Sequence, residues 1–179
     1  AQQVWATTRA IGETVDRGRE ALTGELTSIT VVGEVHAKGP HALRTFVQSG
    51  GGWDGGYMAR GAAQYTVGNV NQASWSGHPD GTGDGLGGRK SAIRQVILEL
   101  NRRKAARKSW NWVSRPSQPE DSLLAADSVV SIEILEETAT DAGPVTRLRI
   151  THSGVPVEFA AGLELYWNWQ FRLFNVRGL

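Results

Sequence analysis

The end of the chain carries an aromatic segment that limits the folds open to this sequence. Residues Val157–Arg177 contain no proline and predict one long helix. Two sides of that helix are apolar: Phe159, Leu163, Tyr166, Trp167, Phe171 and Phe174 on one, and Leu165, Trp169 and Leu173 on the other. A helix with so wide an apolar face has to be covered by another layer or has to close a cavity. The preceding residues must therefore supply that layer.

The segments before this helix alternate between apolar and polar residues. The candidate strands are Ile93–Leu100, Ala105–Val113, Ser128–Glu136 and Val145–His152. Trp110 and Trp112 share one face of the second strand, and His152 ends an apolar stripe in the last. The apolar stripe of the first strand is formed by Val96, Leu98 and Leu100. A period of two residues with one wet face is typical of an antiparallel sheet that is covered on one side.

The N-terminal half predicts two helices around a strand. Residues 1–26 carry a narrow apolar stripe, typical of a helix that docks on another surface; it consists of Val4, Ile11, Val15, Leu22 and Leu26. Leu26–Ala37 is a strand candidate, and Pro40 is well placed to begin a short helix at His41–Val47.

Glycine and proline mark the predicted connections. A Gly-rich loop is expected at 69–88, and Ser153–Pro156 is expected to break the last strand. Two short strands are candidates at Tyr57–Arg60 and Gln64–Val67. The sequence thus predicts an α+β domain over 26–179, in which a curved antiparallel sheet grips a long C-terminal helix, with an N-terminal helical extension at 1–25.

Composition excludes several classes of protein. The 179 residues suit one domain, and 19 Lys and Arg against 18 Asp and Glu exclude a polycationic nucleic-acid binder. The absence of Cys excludes disulfides, thiolate zinc sites and a cysteine nucleophile. No apolar run approaches the 18 or so residues that a membrane-spanning helix needs. Because no signal-peptide pattern follows Ala1, we expect a cytoplasmic protein.

The order of elements from Gly88 onward resembles the START-like (SRPBCC, helix-grip) superfamily, and within it the Aha1-type branch. The resemblance is carried by Ser109–Trp112 (SWNW), a Pro-rich turn, the strand SVVSIEILEE and the segment Thr146–Gly154 (TRLRITHSG). The terminal helix follows, with Tyr166-Trp167 where the family usually has Gly-Trp. The resemblance is confined mainly to residues 88–179.

This resemblance implies an elongated apolar cavity between the sheet and the terminal helix. Members of the superfamily bind lipids, polyketides, hormones or other hydrophobic molecules, and Aha1 itself regulates the Hsp90 chaperone. We therefore expect a hydrophobic small molecule as ligand and no cofactor. The expected contact area comes from Trp110, Trp112, Leu163, Trp167, Phe171 and Phe174. His152 and Glu164 are the expected polar anchors.

Two other functions stay open at this point. The protein could act through its surface, as a chaperone-regulating or protein-interaction domain or a homodimer that uses the helix at 1–25. It could also be a cyclase- or hydrolase-type enzyme, with His152 as the candidate acid or base. Less favoured are a metal site built from His36, His41, His78 and His152, which has no recognised spacing, and a single-stranded nucleic-acid site on the basic residues around Trp110 and Trp112.

Overall fold

A computed structural model describes residues 2–48, 65–75, 91–113 and 122–177. The helices within these ranges are α1 (Gln2–Arg17), α2 (Gly39–Gln48) and α3 (Ala160–Arg177), with short 3-10 turns at Arg19–Ala21 and Val157–Phe159. The strands are β1 (Leu26–Val35), β2 (Val70–Trp75), β3 (Ser91–Asn101), β4 (Ala105–Val113), β5 (Ser128–Thr140) and β6 (Gly143–Pro156). No helix in these ranges has the length and apolar character needed to cross a bilayer.

The strands form one antiparallel sheet in the order β1-β6-β5-β4-β3-β2. Strands β2 to β6 follow one another as neighbours, which is the outcome that short connections favour. Strand β1 forms the other edge of the sheet and pairs with β6. The α+β fold predicted from the sequence is confirmed, with α3 packed on the inner face of the sheet.

The long helix lies very close to the sheet at Gly33 of β1. A Cβ atom at this position would lie 2.5 Å from the ring of Phe171 in α3, so a side chain has no room there. Phe46 of α2 packs against the same ring, with 4.8 Å between the centroids. Both helices therefore cover the inner face.

Helix α1 is shorter than the sequence predicted. It ends at Arg17, because Gly18 adopts a φ of 89° and turns the chain; the predicted helix over 1–26 is wrong beyond that point, and Leu26 begins β1. Ile11 and Val15 are buried, and Ile11 lies against Gly162 of α3. This part of the apolar stripe is therefore covered by the chain itself.

Two predicted connections are partly strands. Residues 70–75 of the predicted loop at 69–88 form β2, whereas 76–88 lie outside the described residues. The predicted break at Ser153–Pro156 is wrong, because pairing with β1 carries β6 through to Pro156. The strand expected at Tyr57–Arg60 is also outside the described residues, and 65–68 form a turn rather than the end of a strand.

Strand β3 presents a different face to the core from the one its apolar stripe suggested. Ile93, Gln95 and Ile97 are buried, while Leu98 is 40% exposed. An irregularity in the pairing between Ile97 and Glu99 shifts the alternation, which returns Leu100 to the side that packs against the core. Gln95 is thereby placed on the inner face.

Candidate functional site

The register of the central strands brings several polar side chains together with Trp110 on the inner face. Gln95 of β3 and Ser128 of β5 lie on either side of Trp110. Lys108 is two residues before Trp110 on β4, so both side chains point to the same face. These positions lie beneath α3, which supplies Trp167 above Trp110 at 5.5 Å between ring centroids.

Aromatic rings fill the space between Trp110 and α3. The Trp110 ring lies 5.9 Å from that of Tyr166, and the Trp112 ring lies 4.9 Å from that of Phe159 in edge-on contact. Trp110, Trp112 and Trp167 are all fully buried. Contacts of this kind stabilise the core beyond the area that they bury. At these rings the interior is packed, so any space for a ligand lies beside them.

His152 is hydrogen-bonded through both ring nitrogens. The indole Nε1 of Trp167 donates to Nδ1 at 3.3 Å, and an indole N–H can only donate. The proton of the neutral imidazole is therefore on Nε2, which donates to Ser128 Oγ at 2.9 Å. The Ser128 hydroxyl in turn donates to the carbonyl of Trp110. This relay fixes the tautomer and uses both polar atoms of the ring.

Burial also keeps His152 neutral. Desolvation, together with the positive charge of Lys108, lowers the pKa of His152 from 6.5 to about 3. An imidazole with so low a pKa stays neutral near neutral pH and is a weak base there. The arrangement supports a structural role for His152 more than the acid or base role considered from the sequence.

Lys108 is a buried cation, only 1% exposed, that joins the sheet to α2. Its Nζ donates to the carbonyls of Phe46 at 3.0 Å and Val47 at 3.1 Å, in the last turn of α2. Helix C-termini carry free carbonyls and partial negative charge, which favour an ammonium group there. Desolvation nevertheless lowers the pKa of Lys108 to about 7. Its Nζ is also 5.5 Å from the Trp110 ring centroid, within cation–π range.

The other expected contact residues divide into two groups. Leu163, Phe171 and Phe174 are buried beneath α3, and the Phe174 ring stacks near that of Phe46 at 6.0 Å. Glu164 is exposed to solvent, and its backbone carbonyl accepts a hydrogen bond from Asn168. Glu164 therefore does not point between the helix and the sheet, and the expectation that it anchors a ligand there is corrected.

Several buried polar atoms on the inner faces of the sheet and α3 have no hydrogen-bond partner in the part of the chain that the structure describes. They are both side-chain amide atoms of Gln95, the Nε1 atoms of Trp110 and Trp112, and Nε2 of Gln170. Gln170 follows Tyr166 by one turn on the same face of α3, and the Tyr166 ring contacts Trp110. We call Gln95, Trp110, Trp112 and Gln170 the inner polar cluster.

Gln95 and Gln170 were not predicted from the sequence, and Lys108 was considered only as one of the basic residues around Trp110 and Trp112. A signal for Lys108 was present, because the two-residue period places it on the same face as Trp110 and Trp112. No group of His, Cys, Asp and Glu suited to a metal ion occurs within the described residues.

Comparisons with known proteins give matches in structure alone. No protein-family model matches the sequence, and no curated protein matches it. The Mll3558 protein from Rhizobium loti is similar with a TM-score of 0.54 at 12% identity, over 85% of this chain and 96% of that one. CalU16 from Micromonospora echinospora gives 0.51 at 16% identity, over 85% and 76% of the two chains.

The AHSA1 protein from Silicibacter pomeroyi gives a TM-score of 0.50 at 14% identity, over 84% of this chain and 96% of that chain. Identities this low establish a shared fold only. The sheet order and the gripped terminal helix agree with the resemblance seen in the sequence. The chain shares the fold of these three structures, one of which is the AHSA1 protein.

Proposed function

We propose that this protein binds a hydrophobic small molecule between the sheet and α3, beside Trp110 and against the inner polar cluster. The observation that carries the proposal is the group of buried polar atoms without partners. Leaving one such group unsatisfied costs about 1–3 kcal/mol, and folded proteins keep few of them. A bound molecule that meets these atoms would offset that cost.

The surroundings of the cluster suit an apolar ligand body. Ile93 and Ile97 flank Gln95 on the inner side of β3, and both are buried. Trp110 and Trp112 offer large rigid surfaces, which bind apolar groups with little loss of conformational entropy. The polar atoms would then orient the molecule, while the rings and aliphatic side chains supply the contact area.

The test is a titration of the protein with the fluorescent apolar probe 6-propionyl-2-dimethylaminonaphthalene. We expect a saturable rise in probe emission with wild-type protein, and its loss in Gln95→Phe, because this change removes both amide atoms and places a larger ring beside Trp110. Leu98→Phe, on the outer side of the same strand, is the matched control and should bind like wild type. No saturable binding to wild type, or equal binding to Gln95→Phe, would refute the proposal.

Native mass spectrometry of freshly purified protein complements the titration. A retained small molecule would appear as added mass on the wild-type chain. The same mass should be absent from Gln95→Phe and present on Leu98→Phe.

A further inference from the structure

We infer that the ligand presents a hydrogen-bond acceptor oxygen, of carbonyl or carboxylate type, to the inner polar cluster. This inference rests on the proposed function and adds the chemical class of the ligand. It excludes ligands that are hydrocarbon throughout and ligands whose polar group only donates.

The first argument is the imbalance between donors and acceptors in the cluster. Four nitrogen atoms with N–H groups lack a partner among the described residues: Nε2 of Gln95, Nε1 of Trp110, Nε1 of Trp112 and Nε2 of Gln170. Against them stands one unpartnered acceptor, Oε1 of Gln95. An indole nitrogen cannot act as an acceptor, so rotating the side chains does not restore the balance. A ligand that satisfies this set must bring acceptors.

The second argument is that nearby acceptors already have donors. The Trp110 carbonyl accepts from Ser128, Ser128 Oγ accepts from His152, and His152 Nδ1 accepts from Trp167. None of the unpartnered donors of the cluster makes a hydrogen bond to this relay. The donors of the cluster are therefore directed to something other than this relay.

The third argument is the charge of the interior. Lys108 is buried, whereas no Asp or Glu is buried among the residues whose side chains the structure describes. Lys108 stands beside Trp110 on β4, with Ile97 opposite it and Gln95 opposite Trp110 on β3. In its protonated form Lys108 attracts the negative end of a carbonyl dipole or a carboxylate, because the interior has a low dielectric constant. It repels an amine, and its own contact with the Trp110 ring leaves that ring less suited to a cationic ligand.

Two naphthalenes of nearly equal size test the inference. The 2-acetyl compound carries a carbonyl oxygen, and the 2-ethyl compound replaces that oxygen with hydrogens. Equilibrium dialysis against wild-type protein measures both dissociation constants. We expect the ketone to bind at least about tenfold more tightly, which corresponds to about 1.4 kcal/mol.

Variants then locate the acceptor site. Gln95→Leu and Gln170→Leu each keep the approximate side-chain size and remove the amide, so we expect the ketone preference to fall below about threefold in either. Two variants are used so that a failure of one to fold does not remove the test. Asn168→Leu removes an exposed amide from the outer side of α3 and should keep the full preference.

The outcomes separate the two proposals. Equal binding of both naphthalenes to wild type would leave the proposed function standing and overturn the acceptor inference. A ketone preference that persists in both Gln95→Leu and Gln170→Leu would also overturn it. If the fluorescent probe binds but neither naphthalene does, the acceptor inference alone is overturned. If the probe does not bind either, the proposed function fails and the inference fails with it.

Discussion

His152 illustrates how a buried imidazole is kept neutral by its neighbours. Trp167 donates to one ring nitrogen and Ser128 accepts from the other, so protonation of Nδ1 would break the bond from Trp167. The folded pKa of about 3 is below the ordinary value of 6.5. At pH values between these two pKa values, this histidine is protonated in the unfolded chain and neutral in the native state.

The resulting prediction concerns stability in acid. The contribution of His152 is fully present above pH 6.5 and is lost as the pH falls towards 3, at up to about 1.4 kcal/mol per pH unit. Denaturant unfolding at pH 7, 6, 5 and 4 should show a shallower loss of stability in His152→Gln than in wild type. The same substitution at exposed His36 is the control. Parallel curves for wild type and His152→Gln would contradict the assignment.

Lys108 gives a prediction in the alkaline range. Its folded pKa of about 7 lies below the ordinary 10.5, so the native state loses its proton before the unfolded chain does. Stability should therefore rise from pH 7 to pH 10, by at most about 4 kcal/mol at roughly 1.4 kcal/mol per unit. Lys108→Met should remove this rise in chemical-unfolding measurements.

The control for Lys108 is Lys104→Met, which removes an exposed ammonium from the β3–β4 turn. That variant should keep the wild-type dependence on pH. If Lys108→Met also keeps it, the charge of Lys108 is better solvated in the native state than its burial indicates.

Single residues differ in how far the sequence could reveal them. The inward position of Lys108 follows from its phase with Trp110 and Trp112, but a cation in a basic cluster is more often solvated. Gln95 could not be found in this way, because both faces of β3 carry apolar residues and the pairing with β4 decides which is buried. Glu164 was expected to face the sheet and is exposed instead. The helical periodicity of α3 alone does not determine which of its polar residues face the sheet.

At the scale of elements, the contact between β1 and α3 depends on the absence of a side chain at Gly33. Gly33→Ala would place a Cβ atom 2.5 Å from the Phe171 ring, so the helix or the ring must shift. Overpacking of this kind typically costs about 1–3 kcal/mol. We expect that loss in denaturant unfolding, and less than about 0.5 kcal/mol for Val32→Ala, which is 50% exposed on the same strand.

A double variant assigns the cost of Gly33→Ala to Phe171. Combining Gly33→Ala with Phe171→Leu provides space for the new methyl group. The double variant should therefore lose less free energy of unfolding than the sum of the losses in the two single variants. If the two losses in stability are strictly additive, the added methyl group clashes with a residue other than Phe171.

Helices and strands with strong hydrophobic periodicity were predictable from the sequence. Elements whose structure depends on pairing with a neighbouring strand were not. Strands β3, β4 and β5 and helix α3 were found because alternation or aromatic content is pronounced in each. Strand β2 was missed because its sequence, VNQASW, has little apolar alternation and gains its strand form by pairing with β3 at the sheet edge. The end of α1 at Gly18 follows a known helix-stop signal that the apolar stripe concealed.

At the scale of the whole molecule, the interior combines a strong apolar core with polar groups that the described chain leaves unmatched. The core cluster extends from α1 through the sheet to α3, and the inner polar cluster lies inside it. A sequence selected for stability alone would place apolar residues at Gln95 and Gln170, because each unmatched amide costs free energy. Binding sites are where such costs are commonly retained.

This reasoning predicts opposite changes in stability and in response to ligand. Gln95→Leu removes two buried amide atoms without partners, so the free energy of unfolding without ligand should rise by about 1–3 kcal/mol. A ligand that binds only the native state stabilises it by RT ln(1 + [L]/Kd), so at equal concentration a tighter ligand raises the unfolding temperature more. On addition of 2-acetylnaphthalene, the unfolding temperature of wild type should therefore rise more than that of Gln95→Leu. Asn168→Leu should behave like wild type both without ligand and with it. If Gln95→Leu is less stable than wild type without ligand, the Gln95 amide is hydrogen-bonded in solution. The inner polar cluster would then no longer support a binding site.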